Sequence, residues 1–134
     1  MSKNTDCPLC SHKDSHKDIV IENGQTIENE LAYVLTDSNP VSLGHCLIVT
    51  RRHVAEFFEA SQEEKIAIFD LIDAMKKIID KKHSPDGYNI GVNIGKAAGQ
   101  SVPHIHIHMM PRYTGDIENP RGGVRGVIPA KQKY

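Results

Sequence analysis

The chain has 134 residues, with 16 basic and 17 acidic side chains and a formal net charge of -1. This is the size of one ordinary domain, which buries roughly two thirds of its unfolded surface and forms a core without disulfide bonds. A charge so close to zero excludes a general attraction to a nucleic acid polymer or an anionic membrane, so an anionic ligand must be bound by local groups. The sequence has no apolar leader and no membrane-spanning apolar run, which predicts a cytoplasmic protein with no membrane partner.

The amino-terminal residues 1–17 contain Cys7 and Cys10 in a C-x-x-C spacing, followed by a polar stretch that we interpret as a loop. Inside a reducing cell this spacing indicates metal binding or redox chemistry more than a structural disulfide. A zinc knuckle is one candidate for this segment. The remaining cysteine, Cys46, stands alone in an apolar run and is expected to be a small buried side chain.

Short strands are predicted through the first half of the chain. Two extended pieces cover 19–21 and 26–28, and 31–36 is a clearer strand of β-branched and aromatic residues. The apolar run 45–50 predicts a further strand, and 54–59 is expected to hold one or two short helical turns.

A long helix is predicted to start at the capping box of Ser61 and Glu64 and to end near Lys82. In such a box the hydroxyl and the carboxylate satisfy backbone amides at the helix start. Apolar side chains then recur at intervals of three and four residues and form one stripe, which we interpret as core or subunit interface: Ile68, Leu71, Ile72, Met75, Ile78 and Ile79.

Two more strands are predicted after the helix, over 88–94 and 103–112, with a glycine-containing loop over 95–99 between them. Residues 114–134 are rich in Pro and Gly without periodicity, so they are expected to form an irregular arm. The elements predict one α+β domain, in which an antiparallel sheet carries one long helix on a face and a short helix elsewhere.

The most informative stretch is the alternation of histidine and isoleucine that contains His104, His106 and His108. Such alternation is typical of a strand, in which the three histidines share one face and the isoleucines enter the core. Neighbouring imidazoles on that face lie about 6.5 to 7 Å apart. This spacing suits a row of phosphate groups or a metal ion.

Residues 104–110, His-Ile-His-Ile-His-Met-Met, resemble the pattern of the histidine triad (HIT) superfamily, His-apolar-His-apolar-His-apolar-apolar. The C-x-x-C pair is similar to the amino-terminal zinc knuckle of many bacterial members. The chain most resembles bacterial relatives of the fragile-histidine-triad branch, the dinucleoside polyphosphate hydrolases. Nearly the whole chain is covered, because further positions fall at the expected spacings: Asp37, Gly44-His45, Asn93, Gly99-Gln100-Ser101 and Pro111-Arg112.

The resemblance implies a nucleotide substrate and a catalytic role for three histidines. His106 would attack the α-phosphorus and carry a covalent nucleotidyl group until water removes it. A neutral imidazole is a competent nucleophile because the ordinary histidine pKa is about 6.5, and we expect a backbone carbonyl to accept from its other nitrogen. His108 would bind phosphate and could donate a proton to the leaving group, and His45 would support the triad. The alternative for His45 is a strand-end side chain in solvent.

The same resemblance implies the groups that bind the nucleotide. The loop glycines would let backbone amides approach phosphate. From the residues alone, however, Asp37 is a turn residue and the leucines are core. The implied phosphate donors are Asn93, Gly99, Gln100 and Ser101, the implied ribose acceptor is Asp37, and the implied base pocket consists of Leu9, Leu35 and Leu47.

A zinc ion requires four ligands, and the C-x-x-C pair provides two thiolates. The resemblance implies His53 and His104 as the others, which would make His104 structural. A local site with His12 and His16, and a chain without metal, are the alternatives. No organic cofactor is expected.

Three arginines are candidates for phosphate or subunit contacts, because a guanidinium fork binds phosphate well. Arg121 and Arg125 lie in the arm and Arg112 follows the histidine strand. The alternative for the arm is a solvated tail. Since superfamily members are usually homodimers, the resemblance also implies a homodimer.

The leading hypothesis is a nucleotide hydrolase or transferase that cleaves dinucleoside polyphosphates such as diadenosine tetraphosphate through a His106-nucleotidyl intermediate. Hydrolysis of nucleoside phosphoramidates is the alternative within the superfamily. Two further classes are a zinc-dependent hydrolase that binds a catalytic ion with all three triad histidines, and a non-catalytic nucleotide-binding module.

Overall fold

The computed structural model describes residues 7–10 and 20–134. Short 3-10 turns lie at Phe57–Glu59, Lys96–Ala98, Gly123–Val127 and Pro129–Lys131. The regular elements of the described chain are β1 Ile21–Glu22, β2 Gln25–Thr26, β3 Ala32–Thr36, β4 Cys46–Thr50, α1 Gln62–His83, β5 Gly87–Gly91 and β6 His106–Arg112.

The main sheet has four antiparallel strands in the order β3, β4, β6 and β5, and β1 and β2 form a separate hairpin. In the register of β4 and β6, Leu47 lies opposite His108 and Ile48 lies opposite Ile107. Opposed residues share a face of the sheet, so the histidines lie beside Leu47, and the isoleucines lie on the other face. The two faces of β6 are thus divided between a site and a core.

Helix α1 covers the isoleucine face of the sheet. It starts at the predicted capping box, in which the Ser61 hydroxyl accepts from the Glu64 amide and the Glu64 carboxylate accepts from the Ser61 amide. Its stripe packs in one cluster with Ile48 and Ile107, so the stripe is core. The α+β prediction, with a sheet, a long helix and a short helical turn, is confirmed.

Two predictions about strands are wrong. β5 ends at Gly91, because beyond it the chain leaves β6 and turns towards the Lys96–Ala98 loop, so the expected strand over 88–94 is too long. The three histidines do not share one strand face, because β6 starts only at His106. The His104 amide instead donates to the Val102 carbonyl at 2.8 Å in a tight turn.

The expected loop of 11–17 and the local metal ligands His12 and His16 lie outside the described residues. In the described part of the amino terminus, residues 8–10 form a single helical turn. The arm after residue 114 is irregular as predicted, apart from its two 3-10 turns. Within the described ranges, no helix is both long enough and apolar enough to cross a membrane.

Candidate active site

A cavity of about 310 Å³ opens on the face of the sheet opposite α1. Its position follows from the alternation along β6, which buries Ile107 and Met109 and leaves the histidines half-buried. The cavity has an apolar wall and a polar wall. The apolar wall consists of Pro8, Leu9, Leu35, Leu47 and Val102. The polar wall includes Asp37, Ser38, Asn39, Asn93, Ser101, His106 and His108.

The backbone holds His106 in one tautomer. Its Nδ1 lies 2.8 Å from the carbonyl oxygen of His104. Because a carbonyl only accepts, Nδ1 carries the proton and Nε2 of the neutral ring keeps its lone pair. The expectation of a backbone acceptor is confirmed. His106 lines the cavity, and Nε2 is the ring nitrogen that can accept a hydrogen bond or a new bond there.

A hydrogen-bonded chain runs from the Val41 amide through His45 to His108. His45 Nδ1 accepts from the Val41 amide at 3.0 Å, so the proton of the neutral ring is on Nε2. That Nε2 lies 3.0 Å from Nδ1 of His108 and 3.3 Å from Oδ2 of Asp37. Since His108 accepts at Nδ1, its own proton is on Nε2. His45 is only 4% exposed, which excludes the solvent-facing alternative.

Burial lowers the pKa of His45 below the ordinary histidine value, and the nearby Asp37 carboxylate opposes this shift. Burial also lowers the pKa of His108, with further lowering from His106 and His45 and an opposing contribution from Asp37. The His45 and His108 rings are therefore neutral at neutral pH. The pair offers a hydrogen-bond donor, not a cation, to a ligand in the cavity.

Asp37, His45 and His108 lie close enough together to suggest a metal site, with ligand atoms within 4.8 Å of one another. The Val41 amide opposes this interpretation. A metal on Nε2 of His45 would require the proton on Nδ1, where it would face the Val41 N–H. The arrangement fits a hydrogen-bonded chain.

The structure brings the two cysteines together with His53 and His104, as the resemblance implied. Nδ1 of His104 lies 3.4 Å from each of the sulfur atoms of Cys7 and Cys10, and Nδ1 of His53 lies 3.3 Å from Cys10 Sγ. His104 Nε2 donates to the Thr50 carbonyl at 2.7 Å, so Nδ1 faces the sulfurs with its lone pair. All four ligand atoms lie within 4.8 Å of one another. Two thiolates and two imidazoles are a donor set that zinc prefers.

The catalytic-zinc alternative requires all three triad histidines to bind one ion, but their side chains diverge. His104 is fully buried and faces the sulfurs, whereas His106 and His108 line the cavity. Among the described residues, these three histidines form no group with metal-ligand spacing.

Most of the predicted nucleotide-binding residues line the cavity, with two exceptions. The side chain of Gln100 donates to the Ala55 carbonyl at 2.6 Å and the Val102 carbonyl at 3.0 Å, and it accepts from the Gly95 amide at 2.9 Å. The Gln100 amide thus holds the loop in this structure, and its role as a phosphate donor stays a prediction. Gly99 ends the 3-10 turn at a φ of 94°, a conformation that glycine adopts readily, and it does not line the cavity.

Several groups in the turn after β3 were not predicted from the sequence. Asp37 Oδ1 accepts from the Asn39 amide at 2.8 Å, which leaves Oδ2 towards His45. Ser38 and Asn39 line the cavity, and the Val41 amide sets the tautomer of His45. The only sequence signal for these contacts is that Asp favours such a turn.

The three candidate arginines point elsewhere. Arg112 donates to Asp116 at 2.7 and 2.8 Å, and Arg121 and Arg125 each lie 4.9 Å from the centre of the Tyr134 ring. Of the residues described, those lining the His106 cavity include none of these arginines. Their contact with distal phosphates or with a partner subunit stays a prediction.

The model of the HIT domain matches residues 19–115 of the chain. An uncharacterized HIT-like protein of Methanocaldococcus jannaschii is 41% identical over 93 residues, which are 68% of this chain and 70% of that protein. A bis(5'-adenosyl)-triphosphatase of Dictyostelium discoideum is 32% identical over 90 residues, which are 67% of this chain but only 60% of that enzyme.

A solved structure shares the fold of this chain. The crystal structure of a zinc-bound histidine triad family protein of Mycobacterium smegmatis aligns with a TM-score of 0.69 at 27% identity, covering 82% of this chain and 77% of that one. The family match and the shared fold define the class. The chain belongs to the HIT domain family.

Proposed function

We propose that the protein hydrolyses dinucleoside polyphosphates by transferring a nucleotidyl group first to His106 and then to water. One observation carries the proposal: the His104 carbonyl contacts Nδ1 of His106, which leaves Nε2 as the accepting nitrogen of the neutral ring, and this side chain lines the same cavity as His108. The name of the Dictyostelium relative, a bis(5'-adenosyl)-triphosphatase, supports the substrate class.

The two walls of the cavity suit the two halves of a nucleotide. A base would pack against Leu9, Leu35 and Leu47 on the apolar wall. Ribose hydroxyls would donate to Asp37, since an ionised carboxylate accepts several hydrogen bonds. Asn93 and Ser101 would donate to the α-phosphate, and donors held in place before the reaction stabilise the charge that develops at phosphorus.

In the first step the lone pair on Nε2 of His106 forms a bond to the α-phosphorus, and the bond to the bridging oxygen breaks with its electron pair leaving on the polyphosphate. His108 donates a hydrogen bond from Nε2 to the phosphoryl group or to the departing oxygen. Water then attacks phosphorus, the P–N electron pair returns to Nε2, and one proton of the water is released to solvent. The products are a nucleoside monophosphate and the shortened nucleotide.

The hydrogen-bonded chain favours polyphosphates over phosphoramidates, the alternative substrates. An amine leaving group needs a transferred proton, whereas a polyphosphate leaves as an anion. If His45 gave its Nε2 proton to His108, it could not take up another proton at Nδ1, because that nitrogen already accepts a hydrogen bond from the Val41 amide. The neutral pair therefore donates hydrogen bonds but lacks the additional proton that an amine would take.

We propose a structural zinc ion held by Cys7, Cys10, His53 and His104. When bound, zinc would tie the 8–10 turn to the chain at His53 and His104, and it would take no part in phosphoryl chemistry. The zinc-bound Mycobacterium structure supports the presence of metal in this fold.

We also propose that the protein is a homodimer, as family membership supports. Helix α1 leaves Ile66 and Phe69 50% and 55% exposed, so apolar surface remains available to a partner. Sedimentation at micromolar concentration tests this directly, with twice the chain mass expected.

The experiment that tests the proposed activity is release of AMP from diadenosine tetraphosphate by the wild type and by His106→Asn. The asparagine amide can still donate to the His104 carbonyl, so the local fold is kept while the nucleophile is removed. We expect turnover to fall about a thousandfold or more. No turnover by the zinc-loaded wild type would overturn the proposal.

A further inference from the structure

A groove of about 500 Å³ lies beside the cavity just described. The two spaces share His108 and Asn93 as lining residues, so they meet at the end of the hydrogen-bonded chain. The groove runs from β5 to the first 3-10 turn of the arm, Gly123–Val127. The proposed reaction does not otherwise use this space.

The groove is lined by aliphatic side chains that solvent reaches. Val41, Val124 and Val127 are 68%, 58% and 78% exposed, and Ile90 is 44% exposed. Among the residues that the structure describes, those lining it include no Lys, Arg, Asp or Glu. A phosphate chain would find no cation here, so the groove suits an uncharged group with an apolar face.

The part of the arm that forms the groove is folded by specific contacts. Arg125 donates to the Lys131 carbonyl at 2.9 Å and the Gln132 carbonyl at 3.2 Å. Gly122 has a φ of 90°, and a side chain there would collide with the Gln132 carbonyl. The valines are therefore presented by a defined turn.

We infer that this groove binds the nucleoside of the leaving group, that is, the second base and ribose of a dinucleoside polyphosphate. This inference rests on the proposed function. The α-phosphate is bound at His106 and His108, and the leaving group departs on the side away from the His106 nitrogen. The groove begins at His108. The remaining phosphates of the leaving group can therefore pass His108 on its solvent-exposed side, while the second base packs against the valines.

The test compares two ligands that differ only in the second nucleoside: diadenosine tetraphosphate and adenosine 5'-tetraphosphate. Dissociation constants are measured with His106→Asn, so binding is read without turnover. The groove variant is Val124→Ser with Val127→Ser, and the matched control is Ile128→Ser, a neighbour 57% exposed that does not line the groove.

The parent is expected to prefer the dinucleoside, and the groove variant to lose about five- to tenfold of that preference, in keeping with the loss of contact to two partly covered valines. The Ile128 control should keep the preference. Equal affinity of the parent for both ligands, or equal loss in the groove variant and the control, would overturn the inference.

The same variants also distinguish a failure of the proposed function from a failure of the groove assignment. Release of AMP by the enzyme with His106 intact decides the proposed function, whereas the ratio of the two dissociation constants decides the groove. If the groove variant changes the sedimenting mass while the ligand preference stays, the occupant is a second copy of the chain, and the nucleoside assignment is wrong.

Discussion

The His104 carbonyl accepts the Nδ1 proton of His106 at 2.8 Å, while the His104 ring faces the sulfurs of Cys7 and Cys10. One residue thus belongs to the cysteine cluster through its side chain and sets the tautomer of the proposed nucleophile through its backbone. The cluster also shapes the cavity that His106 lines, because Leu9 lies between the two cysteines in sequence and lines that cavity. Tyr33 further holds this turn by donating to the Leu9 carbonyl.

Zinc and nucleotide binding should therefore be coupled. We expect removal of zinc to weaken AMP binding about tenfold, because the Leu9 wall is no longer held, and AMP must then tighten zinc binding by the same factor. The measurement is chelator competition for zinc with and without AMP, and AMP titration of the loaded and stripped protein. Cys10→Ser should lower both affinities, and Cys46→Ala is the matched control. Equal AMP affinity with and without zinc would refute the coupling.

Folding stability should fall as the pH drops below about 6.5. The pKa values of His45 and His108 are lowered in the folded state, so below the ordinary histidine pKa the unfolded chain binds protons that the folded chain does not. The contribution of these histidines to stability is fully present above their pKa in the unfolded chain. It is lost as the pH falls towards their lower pKa in the folded state. We expect His45→Asn, which keeps an acceptor for the Val41 amide, to flatten this dependence in urea unfolding between pH 7 and 5. An unchanged slope would show that His45 does not contribute.

The Cys46 thiol should be inert in the native protein. It is buried on β4, and burial raises its pKa to about 12, so almost no thiolate exists at pH 8. Iodoacetamide should label the Cys46 peptide only after unfolding, as read by peptide mass mapping. Stoichiometric labelling of that peptide in the folded protein would contradict the expectation.

The start of α1 depends on Glu64, whose carboxylate accepts from the Ser61 amide at 2.9 Å and from Arg52 at 2.7 and 3.0 Å. Burial acts to raise the pKa of this carboxyl, but the Arg52 and Ser61 hydrogen bonds outweigh it and the pKa is lowered. We expect Glu64→Ala to reduce the free energy of unfolding by about 1 to 3 kcal/mol, since a cap and a charge-assisted bond are lost. Urea unfolding measures this change. The exposed neighbour variant Glu63→Ala should cost less than half as much, and equal costs would be inconsistent with this role.

The sequence predicted those elements that are specified by residues close to one another in the chain. The capping box and apolar stripe predicted α1, and the alternation around Ile107 predicted β6 and its buried face. The histidine pattern identified the family, and the C-x-x-C spacing identified half of the cysteine cluster.

The remaining features depend on contacts between distant residues. His104 leaves the strand because of the cysteine cluster some 94 positions away and the bond to Val102. The Gln100 side chain donates to the Ala55 carbonyl, 45 positions away. The groove requires the aperiodic arm to pack against β5, which no local pattern encodes.

The central claim is that His106 carries the nucleotidyl group. The most direct measurement is the intact mass of the protein after rapid acid-free quenching of a reaction with diadenosine tetraphosphate, followed by peptide mapping. The account predicts a fraction of wild-type protein heavier by one adenylyl group, attached to His106 and missing in His106→Asn. Turnover without any adduct across the time course, or an adduct on another residue, would contradict it.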